Sequence, residues 1–209
     1  MKSARLRFWI AIALMGTLWL SALSTGGRNS ALDNVLYSHL YLVGGTTLAR
    51  NAIVFTQIGS GLFLISLALI AAAYLAVRRK RRAALFLLIT IGGRFLVELQ
   101  KLVISRPRPG ISPHLVAADS YSFPSGHAAN SMITFLAIAL LLPVHPRNRA
   151  IAVGLAIALS LQAGASRIML GVHWPTDVIG GWAFGILWVM TCLHLAGARP
   201  HIEPMPHPR

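Results

Sequence analysis

Tyr121-Ser-Phe-Pro-Ser-Gly-His127 runs directly into an apolar segment, Ala128 to Leu142. Pro124-Ser-Gly126 is typical of a helix N-terminus, because proline suits the first turn, serine caps it, and glycine lets another group approach the backbone. A helix N-terminus presents unpaired N–H groups and a partial positive charge. The stretch therefore predicts a helix whose first turn holds an anion beside the imidazole of His127.

Composition indicates the class of protein. Of the 209 residues, 56% are hydrophobic and only 11% are charged, whereas a soluble domain carries about 25% charged residues. Long uncharged runs recur along the chain, so we predict an all-α, polytopic membrane protein without a separate soluble domain. The net charge of +14 lies between the apolar runs, which indicates a membrane-topology signal and argues against nucleic-acid binding. Cys192 is the only cysteine, which excludes an intrachain disulfide.

Six apolar runs predict six transmembrane helices in one membrane domain, residues 1–200, followed by a disordered tail at 201–209. The expected spans are about 8–27, 51–77, 83–104, 124–144, 150–170 and 175–198. The first run follows a basic start and precedes small residues, so it fits a retained span, which we favour, or a cleaved secretory signal. A short interfacial helix is predicted within residues 28–50.

The distribution of Lys and Arg predicts the orientation in the membrane. Six spans place both termini on one side, and the more basic side is cytoplasmic. That side carries Lys2, Arg5, Arg7, the basic run at 78–82, Arg147, Arg149, Arg199 and Arg209. Outside the suspected site, the loops of the other side carry only Arg28 and Arg50. We therefore expect a bacterial inner-membrane protein with cytoplasmic termini and with residues 105–122 and 171–176 at the outer face.

Three stretches at this outer face carry residues suited to phosphoryl transfer. They are Lys101-x6-Arg108-Pro109, Pro124-Ser-Gly-His127 and Ser166-Arg167-x5-His173-x3-Asp177. A phosphate dianion needs fixed cations and hydrogen-bond donors. The predicted phosphate ligands are Lys101, Arg108, Arg167, Ser125 and the N–H of Gly126.

Two histidines and a carboxylate supply the reactive groups. A neutral imidazole has a lone pair that can attack phosphorus at pH 7. A second imidazole can protonate the leaving alkoxide, and His127 and His173 are available for these two roles. Asp177 lies four residues after His173, just beyond Pro175, and suits the task of orienting that imidazole.

Other ionisable residues allow two interpretations each. Arg94, Glu98 and Lys101 share one face of the third span, where charges are costly. Either the three charges neutralise one another and have a structural role, or Glu98 positions Lys101 for a functional role at the end of the helix. Ser166 is expected to pack or cap. Arg106 is expected to bind either a second phosphate or the lipid surface.

The three stretches together resemble the signature of the type 2 phosphatidic acid phosphatase superfamily of integral-membrane lipid phosphatases. All signature positions are present, in order and at the family spacing, within residues 101–177. The resemblance implies that His173 is the nucleophile, that Asp177 orients it, and that His127 protonates the leaving oxygen and then activates water. It implies that the five ligands named above hold the phosphate. From the residues themselves, we expect Glu98 and Ser166 to support these ligands from a second layer. Neither metal nor other cofactor is implied, and the chain has only five acidic residues, with no cluster for Mg²⁺.

The resemblance leaves the substrate and the acceptor open. We expect a lipid phosphate or diphosphate as the partner in the membrane, with undecaprenyl diphosphate favoured. Phosphatidylglycerophosphate, phosphatidic acid and lipid A phosphates are alternatives, because the motifs do not encode the pocket that selects the hydrocarbon chains. A lipid phosphotransferase would use the same phosphohistidine and another acceptor. A transporter with a cationic anion pathway would use the basic residues without a nucleophile, and a relative of the vanadium haloperoxidases would share the motif but be soluble.

Overall fold

The computed structural model describes residues 2–143 and 145–198, and all regular structure within them is helical. The described elements are α1 Lys2–Thr25, α2 Ala31–Leu40, α3 Thr47–Thr56, a 3-10 helix Gln57–Gly59, α4 Gly61–Arg78, α5 Lys80–Ile104, α6 Gly126–Leu141, α7 Pro146–Met169 and α8 Pro175–Leu195. The predicted all-α membrane fold is confirmed. The disordered tail predicted at 201–209 lies outside the described residues.

Five helical stretches of the described chain are long and apolar enough to cross a bilayer. They are Arg5–Thr25, Thr47–Arg78, Lys80–Ile104, Arg147–Met169 and Pro175–Leu195. The remaining predicted span, at 124–144, corresponds to α6, which has 16 residues and covers about 24 Å of a hydrocarbon core of roughly 30 Å. The irregular chain before α6 is buried from residue 122 to 125. Such backbone is tolerated at membrane depth only where protein covers it.

A turn divides the second predicted span. We predicted one helix over residues 51–77, and the structure has α3, the 3-10 helix and then α4. Two glycines of this turn lie against polar side chains of other helices. A Cβ on Gly59 would lie 3.0 Å from the His127 ring, and one on Gly61 would lie 2.8 Å from Arg94 Nη2. The turn therefore lets the backbone approach two polar side chains that larger residues at these positions would displace.

α6 is the central helix and packs against α5, α7 and α8. Met132 and Ile133 of α6 are buried in one core cluster with Phe86 and Ile89 of α5 and Val189 of α8. Because apolar neighbours surround α6, this helix is the rigid support for the residues at its N-terminus.

Small residues allow α8 to approach α6 closely. A Cβ on Gly181 would lie 2.8 Å from the carbonyl oxygen of Ser125, and one on Gly185 would lie 2.9 Å from Met132 Cβ. Small residues four positions apart are typical of close helix pairs in membranes. The pair fixes the start of α6 against the start of α8.

α1 packs along α8. Phe8 stacks on His194 with ring centroids 4.2 Å apart, and Trp19 Nε1 donates to Gln100 Oε1 of α5 at 3.0 Å. These contacts join α1 to α8 and α5.

Candidate active site

The three stretches singled out in the sequence meet around one cavity of about 230 Å³. The cavity lies where α5 ends, where α6 begins and where α7 turns into α8. Seven of the predicted residues line it: Glu98, Lys101, Arg108, Gly126, His127, Arg167 and His173. Ser125, Ser166 and Asp177 are buried behind its wall.

The start of α8 positions the pair formed by His173 and Asp177. Pro175 begins the helix, and Asp177 Oδ2 accepts the N–H of Trp174 at 2.9 Å, which satisfies a free donor of the helix N-terminus. The same oxygen lies 3.4 Å from His173 Nδ1. The carboxylate thus holds one ring nitrogen, while Arg108 Nη1 lies 3.1 Å from the other, Nε2.

Further donors hold the fully buried carboxylate of Asp177. Ser122 Oγ donates to Oδ2 in a short hydrogen bond, and Arg106 Nη1 donates to Oδ1 at 2.8 Å. Arg106 Nη2 donates to the carbonyls of Ala22 at 2.9 Å and Leu23 at 2.7 Å, at the end of α1. The expectation that Arg106 binds a second phosphate or the lipid surface is therefore wrong, because its guanidinium is engaged inside the protein.

Burial and neighbouring cations keep His173 neutral. Burial is the largest cause that places the pKa of His173 well below its ordinary value of 6.5, and the charges of Arg108, Arg167 and Lys101 lower it further. With Nδ1–H directed at Asp177, Nε2 retains its lone pair. The imidazole is therefore in the form that can attack phosphorus.

Four cationic side chains of the described chain line the cavity, and neighbouring groups hold three of them, Lys101, Arg108 and Arg167. Lys101 Nζ donates to Ser120 Oγ at 3.0 Å, and Arg108 Nε donates to the carbonyl oxygen of Ser120 at 2.6 Å. Arg167 Nη1 donates to Thr56 Oγ1 at 3.0 Å. Within residues 2–143 and 145–198, no group of three His, Cys, Asp or Glu side chains is placed to hold a metal ion.

Two of the predicted phosphate ligands carry buried polar atoms without a hydrogen-bond partner, namely Ser125 Oγ and Arg167 Nε. An unsatisfied buried group of this kind costs about 1–3 kcal/mol. Gly126 begins α6, where the first N–H groups have no partner within the helix. A Cβ on Gly126 would lie 3.4 Å from Lys101 Nζ. Gly126 and Arg167 line the cavity, so an anion bound there would meet the N-terminus of α6 and the Arg167 guanidinium.

His127 lies in the first turn of α6 and lines the same cavity as His173. Its ring packs against Gly59. No other described residue forms a hydrogen bond with its ring nitrogens. Both nitrogens are therefore available to a ligand in the cavity.

The remaining predicted residues differ in position. Glu98 Oε1 lies 3.6 Å from Lys101 Nζ, so it stands where it can position that ammonium group. Arg94 forms no hydrogen bond or ion pair with any described residue, so the three charges do not neutralise one another as a set. Ser166 Oγ donates to the carbonyl of Ala163 at 2.8 Å and packs within α7.

Several polar residues of the site region were not predicted, among them Asp33, Thr56, Ser120, Ser122 and Asn130. Asp33 is fully buried and accepts from Thr176 N at 2.8 Å and from Thr176 Oγ1 at 2.6 Å, so it braces the start of α8. In the sequence, Asp33 is typical only of a helix beginning. Asn130 could have been identified from the sequence as a site residue, because it is a polar residue that interrupts an apolar run three residues after His127.

An apolar groove of about 280 Å³ adjoins the cavity between α4, α5 and α6. Its apolar lining comprises Leu64, Ile65, Ala68, Leu69, Leu87 and Ile91. Ile65, Leu69 and Ile91 are exposed on the bundle surface, so the groove opens towards lipid. Arg94 and Asn130 line both the groove and the cavity. A hydrocarbon chain in the groove would bring its headgroup to the cavity.

Comparison with known proteins extends the match beyond the motifs. The PAP2 superfamily model matches residues 82–200. Phosphatidylglycerophosphatase B of Bacillus subtilis is 31% identical over 183 residues, which cover 85% of this chain and 89% of that protein. An undecaprenyl-diphosphatase of Sulfolobus acidocaldarius is 32% identical over 144 residues, which cover 65% of this chain and 67% of that protein. The crystal structure of a transmembrane PAP2-type phosphatidylglycerolphosphate phosphatase from B. subtilis has a TM-score of 0.80 at 28% identity, covering 89% of this chain and 96% of that one.

Proposed function

Because the chain belongs to the PAP2 superfamily, we propose that it is a membrane phosphatase that hydrolyses a lipid phosphate or diphosphate through a phosphohistidine at His173. One observation carries the proposal. The neutral imidazole of His173 has a buried carboxylate at Nδ1 and a ring of cations near Nε2, in a cavity that His127 also lines. The proteins to which the chain is similar are phosphatases by name.

In the first step, His173 Nε2 attacks the terminal phosphorus. The N–P bond forms while the bond from phosphorus to the leaving oxygen breaks, and the electron pair passes to that oxygen. We propose that His127 donates the proton that neutralises it. Asp177 accepts Nδ1–H and stabilises the positive charge that develops on the attacking ring.

In the second step, water attacks the phosphohistidine. His127, now neutral, accepts a proton from the water, and the electron pair of the N–P bond returns to His173 Nε2. Lys101, Arg108 and Arg167 balance the charge on the phosphoryl oxygens in both steps, together with the N-terminus of α6. The reaction as proposed needs no metal ion, so phosphate release should persist in the presence of a chelator. Loss of activity that Mg²⁺ restores would contradict this part.

The proposed substrate is a lipid whose chain occupies the apolar groove while its phosphate enters the cavity. Undecaprenyl diphosphate is our favoured candidate, and phosphatidylglycerophosphate is the second, because relatives carry the corresponding names. We also propose the orientation that the basic residues indicate, with both termini cytoplasmic and the site at the outer face of a bacterial inner membrane.

The test compares purified variants on a panel of lipid phosphates. His173→Ala and His127→Ala should each lower phosphate release by about 10³-fold or more. His39→Ala, at an exposed position of α2, is the matched control and should retain wild-type activity. Rapid quenching should trap phosphate on the wild type and not on His173→Ala. Near-normal turnover by either active-site variant would refute the mechanism.

A further inference from the structure

Arg94 is a cation that the mechanism above does not use. It lies about 15 Å below the end of α5 at Ile104, given the helical rise of 1.5 Å per residue. It is partly buried and forms no hydrogen bond or ion pair with any described residue. A charge held inside a membrane protein is costly unless a partner or a water-filled cavity compensates it. An unpaired arginine here therefore indicates a missing anionic partner.

Asn130 gives a second, independent indication at the same place. Its side chain is only 8% exposed, and Oδ1 has no hydrogen-bond partner. Rotating the amide by 180° would present the NH₂ group at the same position. Asn130 lies three residues after His127 and shares its helix face. Asn130 and Arg94 both line the boundary between the polar cavity and the apolar groove.

This boundary is on the side of the leaving group. Gly59 lies against the His127 ring, and Gly61, two residues later, lies so close to Arg94 that a Cβ on it would be 2.8 Å from Nη2. Attacking and leaving atoms stand roughly in line on opposite sides of the transferred phosphorus. With His173 as nucleophile and His127 as proton donor, whatever joins the phosphorus to the hydrocarbon chain must pass Arg94 and Asn130 on its way to the groove.

We propose that Arg94 and Asn130 bind a second phosphoryl group of the substrate, located between the reacting phosphorus and the hydrocarbon chain; this inference rests on the proposed function. The guanidinium pairs with the phosphoryl oxygens, and the Asn130 amide donates a hydrogen bond to them. The substrate is then a lipid diphosphate or a lipid whose terminal phosphate follows a phosphodiester. A lipid phosphomonoester leaves both side chains without partners.

The two kinds of substrate, a lipid diphosphate and a lipid whose terminal phosphate follows a phosphodiester, differ in the leaving group. In a diphosphate, the electron pair of the broken bond passes to the bridging oxygen, where Arg94 stabilises the negative charge that develops in the transition state; this oxygen then takes the proton of His127, and a lipid monophosphate leaves. In the phosphodiester case, the leaving oxygen takes the proton of His127 and departs as a hydroxyl, while the charge at Arg94 is unchanged. Arg94 therefore contributes to kcat and KM with a diphosphate, and mainly to KM with the phosphodiester lipid.

The experiment measures kcat/KM of wild type and Arg94→Gln on two matched pairs. One pair is a polyprenyl diphosphate and its monophosphate, and the other is phosphatidylglycerophosphate and phosphatidic acid. In the pair that contains the true substrate, Arg94→Gln should lower kcat/KM about 10- to 100-fold on the lipid with two phosphoryl groups, as expected for one charge-assisted hydrogen bond. On the lipid with one phosphoryl group, kcat/KM should fall less than about threefold. Arg81→Gln, exposed at the opposite end of α5, is the control. Arg94→Lys, which keeps the charge, should recover part of the loss.

Several outcomes would overturn the inference. Equal losses on both members of each pair would make Arg94 a general structural residue, and unchanged activity on all four lipids would leave it without a role. Either result leaves the proposed function standing, provided that the wild type releases phosphate. If the wild type hydrolyses none of the four lipids, the proposed function fails. The subsite is then tested by measuring the binding of a polyprenyl methylene-diphosphonate from the shift it causes in melting temperature. Arg94→Gln should weaken that binding at least about 10-fold, and equal binding would refute the subsite.

Discussion

The chemistry of His173 depends on charges of opposite sign at its two nitrogens. Asp177 approaches Nδ1, and Arg108 approaches Nε2. Arg106 balances the buried carboxylate from behind, so the negative charge of Asp177 does not stand alone in a nonpolar interior. The side chains that hold Nδ1–H, Asp177 and behind it Arg106, do not line the cavity.

Asp177→Asn tests this arrangement. The neutral amide keeps the size of the side chain but no longer fixes Nδ1–H, and it leaves Arg106 with an unpaired buried charge. We expect kcat to fall by about 10²- to 10⁴-fold, with a smaller change in KM, in steady-state phosphate release. Asp33→Asn is the matched control, because it removes a second buried carboxylate that braces α8. It should lower the melting temperature but leave kcat within about tenfold of wild type. An equal loss of kcat in both variants would mean that Asp177 acts by bracing alone.

The lowered pKa of His173 predicts how stability changes with pH. The unfolded chain recovers the ordinary pKa of about 6.5, so below that pH it binds a proton that the folded protein does not bind. The free energy of unfolding should therefore decrease as pH falls, by up to about 1.4 kcal/mol per pH unit from this group. Unfolding in detergent from about pH 8 to pH 5.5 measures the slope. His173→Gln should show a smaller slope, and identical slopes would contradict the prediction.

At the scale of elements, the contact between α6 and α8 positions two halves of the site. α6 carries the phosphate-binding N-terminus and His127, while α8 begins with the turn that holds Asp177. Ser125 N donates to the carbonyl oxygen of Asp177 at 2.9 Å, so the two helix beginnings are joined directly. The glycines of α8 make this approach possible.

Gly181→Ala should disturb that contact. The new Cβ would lie 2.8 Å from the Ser125 carbonyl oxygen and 3.0 Å from Ala128 Cβ, so the helices must separate. We expect a loss of about 1–3 kcal/mol in unfolding free energy and a raised KM. Gly154→Ala in α7 has nothing within 4 Å of its Cβ. It gains the same helix propensity, about 1 kcal/mol, without a clash. Equal melting temperatures for the two variants would show that the close packing is unimportant.

At the scale of the whole molecule, the site lies at one end of the bundle and the run of basic residues at 78–82 lies near the other. α5 joins them, with Lys80 at its first residue and Lys101 in its last turn. If the positive-inside rule holds, the cavity faces the outside and the α4–α5 connection faces the cytoplasm.

Cysteine labelling tests this orientation. In a Cys192→Ala background, Ala117→Cys at the cavity rim should react with a membrane-impermeant maleimide in intact spheroplasts. Lys80→Cys, exposed at the start of α5, is the matched position at the other end and should react only after permeabilisation. The reverse pattern would place the site in the cytoplasm.

The sequence by itself determined the all-helical membrane class, the family resemblance and the short-range pairs, because these depend on composition and on spacings of a few residues. His173 and Asp177 lie four residues apart, so the start of one helix brings them together. Only the tertiary structure decided which distant partners each charge has. Arg106 pairs with Asp177 across 71 residues and Asp33 with Thr176 across 143. It also decided that a turn divides the second span and that Arg94 has no hydrogen-bond or ion-pair partner among residues 2–143 and 145–198. Spacing along the chain carries no information on such contacts, because they depend on how whole helices pack and where their side chains then point.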